Sequence, residues 1–67
     1  MKIFGERLRE LRTEKGLSIQ SLSKEVQIGV ASICRWENGQ ADGKGAQLVV
    51  LAKYFGVSTD YLLGLED

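Results

Sequence analysis

Leu17-Ser18-Ile19-Gln20-Ser21-Leu22-Ser23-Lys24-Glu25-Val26-Gln27-Ile28-Gly29-Val30-Ala31-Ser32-Ile33-Cys34-Arg35-Trp36-Glu37-Asn38-Gly39 is the stretch that decides the fold. It carries the same start signal twice. Leu17-Ser18 precedes Leu22, and Ile28-Gly29 precedes Ile33. Each places an apolar residue before a small cap residue, with an apolar partner five positions on, which is the spacing of a hydrophobic staple around a helix N-cap. The spacing predicts helices over Ile19–Val26 and Val30–Glu37, joined by Gln27-Ile28-Gly29. Two short helices across a three-to-four-residue turn form a helix-turn-helix. Its steep crossing turns Leu22, Val26, Ile33 and Trp36 inward and leaves Val30, Ala31, Cys34 and Arg35 outside. A protruding helix of that width fits a DNA major groove, N-terminal residues nearest the base edges.

The flanks read as helix too. Phe4, Leu8 and Leu11 recur at i, i+4 and i+7, giving a first helix of about residues 3–15, closed by Gly16 in the left-handed region. Leu48, Leu51, Ala52 and Phe55 repeat the pattern in a fourth helix that Gly56 ends. Val57-Ser58 before Leu62 is a third staple, opening a short fifth turn over about residues 59–63 that stops at Gly64. No stretch alternates long enough to be a strand. Sixty-seven residues with closely spaced breaks make one all-α domain, residues 1–67.

The apolar content of 43% supports a core without staples, since one cysteine cannot form an internal disulfide. That lone cysteine suits a reducing cytoplasm. No apolar run approaches the roughly 18 residues of a membrane span, and Met1 reads as a native start without a signal peptide. Histidine is absent, and neither a metal-ligand cluster nor a phosphate-binding loop is present, so no cofactor, metal, small-molecule ligand or enzymatic activity is expected. Net charge is zero, but unevenly spread. Through Lys44 there are eight basic and six acidic residues; beyond it, Lys53 stands against Asp60, Glu66 and Asp67. The front of the chain is mildly positive and the tail negative.

Several blocks carry a family resemblance: Arg7-Leu8-Arg9-Glu10-Leu11-Arg12, Lys15-Gly16-Leu17-Ser18, Ile33-Cys34-Arg35-Trp36-Glu37-Asn38-Gly39, Leu51 to Ser58, and Asp60-Tyr61-Leu62-Leu63-Gly64. Together they resemble the Cro/CI-type (XRE) helix-turn-helix regulators over about residues 4–66. The resemblance implies a compact five-helix, lambda-repressor-like DNA-binding domain, and a transcriptional regulator, in the first instance a repressor, bound as a homodimer to a palindromic operator. It also implies a charge pair between Arg12 and Glu37, against the alternative that both are solvated on separate surfaces. Trp36, three positions after Ile33, belongs to the core.

Departures from the family pattern fall on the expected DNA face. The usual helix-two glutamine is replaced by Ile19, with Gln20 one place later; Ile19 cannot donate to phosphate through its side chain. The usual turn glycine is Gln27, which must adopt the left-handed region at a cost of roughly 1 kcal/mol. Gly29 stands where relatives carry a capping Ser or Thr. The base-reading positions are Val30, Ala31 and Arg35. Arg35 can meet guanine O6 and N7 bidentately, while Val30 and Ala31 can meet thymine methyls. The phosphate positions are Ile19, Gln20, Gly29, Ser32, Asn38, Gly39 and Lys44. Ser32 equally fits a hydroxyl bonded back into its helix, and the glycine-rich loop before Lys44 either clamps a phosphate or is a connector, mobile until bound. Cys34 is either an inert helix residue or a redox-sensitive thiol. Arg9 and Lys15 read as solvated charges. Val57, Tyr61, Leu62 and Leu65 form either a dimer patch or the closing edge of the domain's own core. The neutral total charge and apolar helix-three start leave a second function open, a helix-turn-helix that binds protein instead of DNA.

Overall fold

Ser18 stands in extended backbone, and its Oγ accepts from the Ser21 N–H at 3.0 Å. Ser58 does the same for the Tyr61 N–H at 3.0 Å. These caps satisfy donors that a helix start leaves open, and they fix where two helices begin. The computed structural model describes residues 2–67; Met1, read as the native start, lies outside them. The described residues form α1 (Lys2–Glu14), α2 (Ile19–Val26), α3 (Val30–Glu37), α4 (Gly45–Phe55) and α5 (Thr59–Leu62), with no strand among them. No helix among them is long and apolar enough to cross a membrane.

The apolar residues of all three staple patterns lie at the core. The leading residues Leu17, Ile28 and Val57 pack partly buried against the core, and their partners Leu22, Ile33 and Leu62 are fully buried. Phe4, Leu8, Val26, Trp36, Leu51 and Ala52 complete that core. The Phe4 and Trp36 rings meet at 5.7 Å between centroids, tilted by 60°, within the range of favourable aromatic pairs. Gly16, Gly56 and Gly64 end their segments at positive φ. The fourth helix starts earlier than its apolar repeat shows, at Gly45, where Gln47 Oε1 accepts from the Lys44 N–H at 3.4 Å.

The turn between α2 and α3 depends on two residues. Gln27 adopts φ 56 and ψ 43, the left-handed conformation that an L residue enters at a cost. The Ser23 hydroxyl donates to the Ile28 carbonyl at 2.6 Å, bracing the turn from inside α2. The segment after α3, expected to be mobile, is held at two points. Ala41 packs against the core, and Gly43 is buried so close under the Phe4 ring that a β-carbon would lie 2.9 Å from Phe4 Cζ.

Helix α3 is set against α1 by two contacts. Gly5 is buried, and a methyl group there would overlap the Trp36 carbonyl oxygen while lying 3.1 Å from Glu37 Cα. At the end of α3, Arg12 Nε and Nη2 donate to Glu37 Oε2 and Oε1 at 2.7 and 2.8 Å, a bidentate fork around a carboxylate whose side chain is only 1% exposed. Arg12 Nη1 also donates to the Leu17 carbonyl at 2.8 Å. The hydrogen bond with Glu37 raises the Arg12 proton affinity further, burial opposes it, and the Glu37 charge adds to it. Arg12 is therefore a permanent cation.

These contacts set the stability of the domain. Gly5→Ala forces α1 and α3 backbones apart and should cost about 2–4 kcal/mol in urea unfolding. Arg12→Ala strands a buried carboxylate and should cost about 3 kcal/mol or more. Arg9→Ala, which leaves the fork intact, should cost under about 1 kcal/mol. Gln27→Gly relieves the left-handed residue and should raise the unfolding midpoint, worth about 0.5–1 kcal/mol after the added chain entropy of glycine.

Candidate nucleic-acid interface

With Ile33 and Trp36 turned into the core, the helical period leaves the opposite side of α3 to solvent. Val30 is 41% exposed, and Ala31 and Arg35 are exposed beside it. Ser32 and Cys34 are half-buried at the margin. Among the described residues, the Arg35 guanidinium takes part in no ion pair or hydrogen bond, so its five donors face water. The surface is a ridge: two small apolar side chains at the start of the helix, then one cation a turn later.

Around this ridge lie open backbone groups. Gly29 caps α3 in extended backbone at φ −59 and ψ 144, with no side-chain bond and no atom within 4 Å of where a β-carbon would stand. The first N–H groups of α2 and α3 have no intrahelical acceptor and point out of the helix starts. Ile19 therefore differs from its place among the phosphate positions in one respect. Its side chain packs half-buried on the core, so its backbone N–H is the only group it has to offer a phosphate. Gln20 next to it is exposed. Beyond α3, Asn38 and Gly39 are exposed, with Gly39 at φ 75, and the exposed Lys44 opens α4.

The basic residues divide into two groups. Arg12 is committed to Glu37. Arg7 is committed to the chain's tail: it donates to the carbonyls of Tyr61 and Glu66 and lies 4.2 Å over the Tyr61 ring. Arg9 and Lys15 are not the freely solvated charges expected. Arg9 reaches Glu37 Oε1 at 3.3 Å and Asn38 Oδ1 at 3.4 Å, and Lys15 Nζ sits 4.9 Å over the Tyr54 ring. Lys2, Lys24, Arg35, Lys44 and Lys53 form no ion pair among the described residues. A shallow cleft lined by Lys2, Glu6, Glu37, Asn38 and Gly39 lies where α1 meets the end of α3.

The apolar patch assigned to the fifth helix splits. Leu62 is fully buried and belongs to the core, and Val57 and Tyr61 are half-buried, whereas Leu65 is 73% exposed. Sequence reasoning missed Gly5, Arg9 and Ser23. A glycine inside the pattern of the first helix was the one available signal, since such a residue weakens a helix unless packing requires it. Nothing in the spacing pointed to Arg9 or Ser23.

Comparison with known proteins agrees with this geometry. A helix-turn-helix domain family matches residues 5–67. The chain is 33% identical over 64 residues to the HTH-type transcriptional activator BcrR of Enterococcus faecalis, covering 96% of this chain and 31% of that protein. It is 39% identical over 61 residues to the SPbeta prophage-derived uncharacterized HTH-type transcriptional regulator YonR of Bacillus subtilis, covering 91% and 56%. With Repressor protein C2 of Salmonella phage P22 it shares 32% identity over 62 residues, 92% of this chain and 29% of that protein. The chain thus spans between 29% and 56% of the length of these relatives. No solved structure gives a significant match. The helix-turn-helix built by α2 and α3, the exposed ridge on α3 and relatives named as transcriptional regulators place this chain in the Cro/CI-type (XRE) family of helix-turn-helix DNA-binding regulators.

Proposed function

We propose that this chain reads an operator by laying α3 in the major groove and represses transcription by occupying that site. The observation that carries the reading is the ridge on α3: an uncommitted Arg35 next to exposed, small Val30 and Ala31. Arg35 takes a guanine by its O6 and N7, and Val30 and Ala31 lie against thymine methyls. The N–H groups of Ile19, Gln20 and Gly29, the Ser32 hydroxyl, Asn38, Gly39 and Lys44 hold flanking phosphates and set the register. Repression needs only occupancy, and one of the relatives is named a repressor. The relatives are bacterial or phage proteins, so the setting is the bacterial cytoplasm.

Two copies bind one palindromic site. On such a site the two α3 helices lie ~34 Å apart, one turn of the duplex. Leu65 supplies the exposed apolar contact near α5, flanked by the half-buried Val57 and Tyr61.

Fluorescence anisotropy with duplex DNA from upstream of the chain's own coding region tests base reading. Binding should weaken with salt along a negative log–log slope. Arg35→Ala should lose about 1–3 kcal/mol of discrimination at one base position and far less non-specific affinity. A second reading, a protein-binding module, is favoured by the zero net charge and the exposed Val30. No saturable DNA binding at low salt, with a protein partner recovered on the same surface, would establish it instead. Sedimentation should show dimers on operator DNA; monomers alone at high micromolar protein, with and without DNA, would sink the dimer.

A further inference from the structure

Asn38 follows α3 directly, and its carboxamide is gripped from two sides. Its Oδ1 lies 3.4 Å from Arg9 Nη2, and its Nδ2 lies 3.6 Å from Cys34 Sγ. The orientation follows from chemistry. A guanidinium has donors only, so the end of the carboxamide facing Arg9 must be its carbonyl oxygen. The amide N–H groups are driven to the other side, toward Cys34, which lies at the margin of the exposed α3 ridge. A thiol sulfur is a weak acceptor, so those donors keep their capacity for a stronger one.

Arg9 is not needed to neutralise Glu37. Arg12 already holds both carboxylate oxygens at 2.7 and 2.8 Å, whereas Arg9 touches one at 3.3 Å with a side chain 53% exposed. Arg9 Nη2 makes two contacts that Arg12 does not, with the Glu37 main-chain carbonyl at 3.5 Å and with Asn38 Oδ1 at 3.4 Å, and only the second orients a side chain. We propose that Arg9 is a positioning residue for DNA binding: it locks the Asn38 carboxamide with its N–H donors turned toward the α3 face, where a phosphate oxygen can accept from them. Reversed, the carboxamide would set its carbonyl oxygen against the phosphate, acceptor against acceptor. The inference rests on the Asn38–phosphate assignment made above.

The test has one arm without DNA and one with it. In 15N-labelled protein, Arg9→Met should shift the Asn38 side-chain NH2 resonances and lower their heteronuclear NOE. Backbone amides away from the substitution and the urea midpoint should stay nearly unchanged, and Arg9→Lys should restore most of the Asn38 signal. By anisotropy on operator duplex, Arg9→Met and Asn38→Ala should each weaken binding about tenfold, the size of one charge-assisted hydrogen bond. The double variant should also lose about tenfold, because both changes remove one contact. An Asn38 amide indifferent to Arg9→Met overturns the proposal, and so do losses that multiply to about a hundredfold, which would give Arg9 its own contact with DNA. Failure of the wild-type chain to bind any duplex, with the Asn38 amide still responding to Arg9, brings down the DNA reading and the role of Arg9 in it, while leaving the orientation itself intact.

Discussion

Helices α1 and α3 touch without a side chain between them at Gly5, where the Trp36 carbonyl occupies the space a methyl group would need. Helix α3 has eight residues, too few to be stable alone, since isolated helices shorter than about 12–15 residues are marginal in water. Its direction is imposed from outside. Gly5 sets how deeply it sits, Ile33 and Trp36 set which side faces in, and the Arg12–Glu37 fork fixes its far end. The fork's value lies in direction more than in strength. A buried ion pair commonly contributes no more than a well-packed apolar pair of the same size. What apolar packing lacks is the planar, bidentate geometry that ties the last turn of α3 to one turn of α1.

The near end of α3 is held differently. The turn before it places Gln27 in the left-handed region, and the Ser23 hydroxyl secures the Ile28 carbonyl. Ile28 then packs partly buried against the core that holds Ile33. One end of the helix is thus fixed by charge and the other by backbone geometry and apolar contact. A helix held at both ends presents its outward side chains in a constant frame, and groove readout by two or three side chains requires such a frame.

The frame was legible in the sequence because its signals are local. A staple and its cap span six residues; Leu17, Ile28 and Val57 lie against the core that Leu22, Ile33 and Leu62 are buried in, and Ser18 and Ser58 cap their helices while Gly29 makes no side-chain cap. The left-handed residue at Gln27 was legible for the same reason, as the turn has a fixed shape. What escaped depends on contacts distant in sequence. The reason for Gly5 is a carbonyl thirty-one positions later, and the role of Arg9 appears only when Glu37 and Asn38 are brought beside it. Leu62 was ambiguous because an apolar residue in a short amphipathic turn looks the same whether it closes its own core or meets another copy. Ile19 was legible in part: an apolar side chain at that position cannot donate to phosphate, and it packs against the core.

Counting charges along the chain does not say which of the front's cations are free. Three of its arginines are engaged within the fold: Arg7 on the tail carbonyls, Arg12 on Glu37, and Arg9 on Glu37 and Asn38. Zero net charge is nevertheless no bar to binding a polyanion. Screening at physiological salt limits each charge to about 8 Å, well short of the 21–27 Å dimensions of the molecule. A phosphate therefore responds to the charges and N–H dipoles nearest it, not to the total. Among the described residues the cations outside any ion pair or ring contact are Lys2, Lys24, Arg35, Lys44 and Lys53, and they are spread over four helices and their edges with no single dense cluster in the sequence. If DNA is bound as proposed, a surface with zero net charge leaves a larger share of the affinity to directed contacts than a strongly basic one would, so the orientation of donors such as Arg35 and the Asn38 amide gains weight.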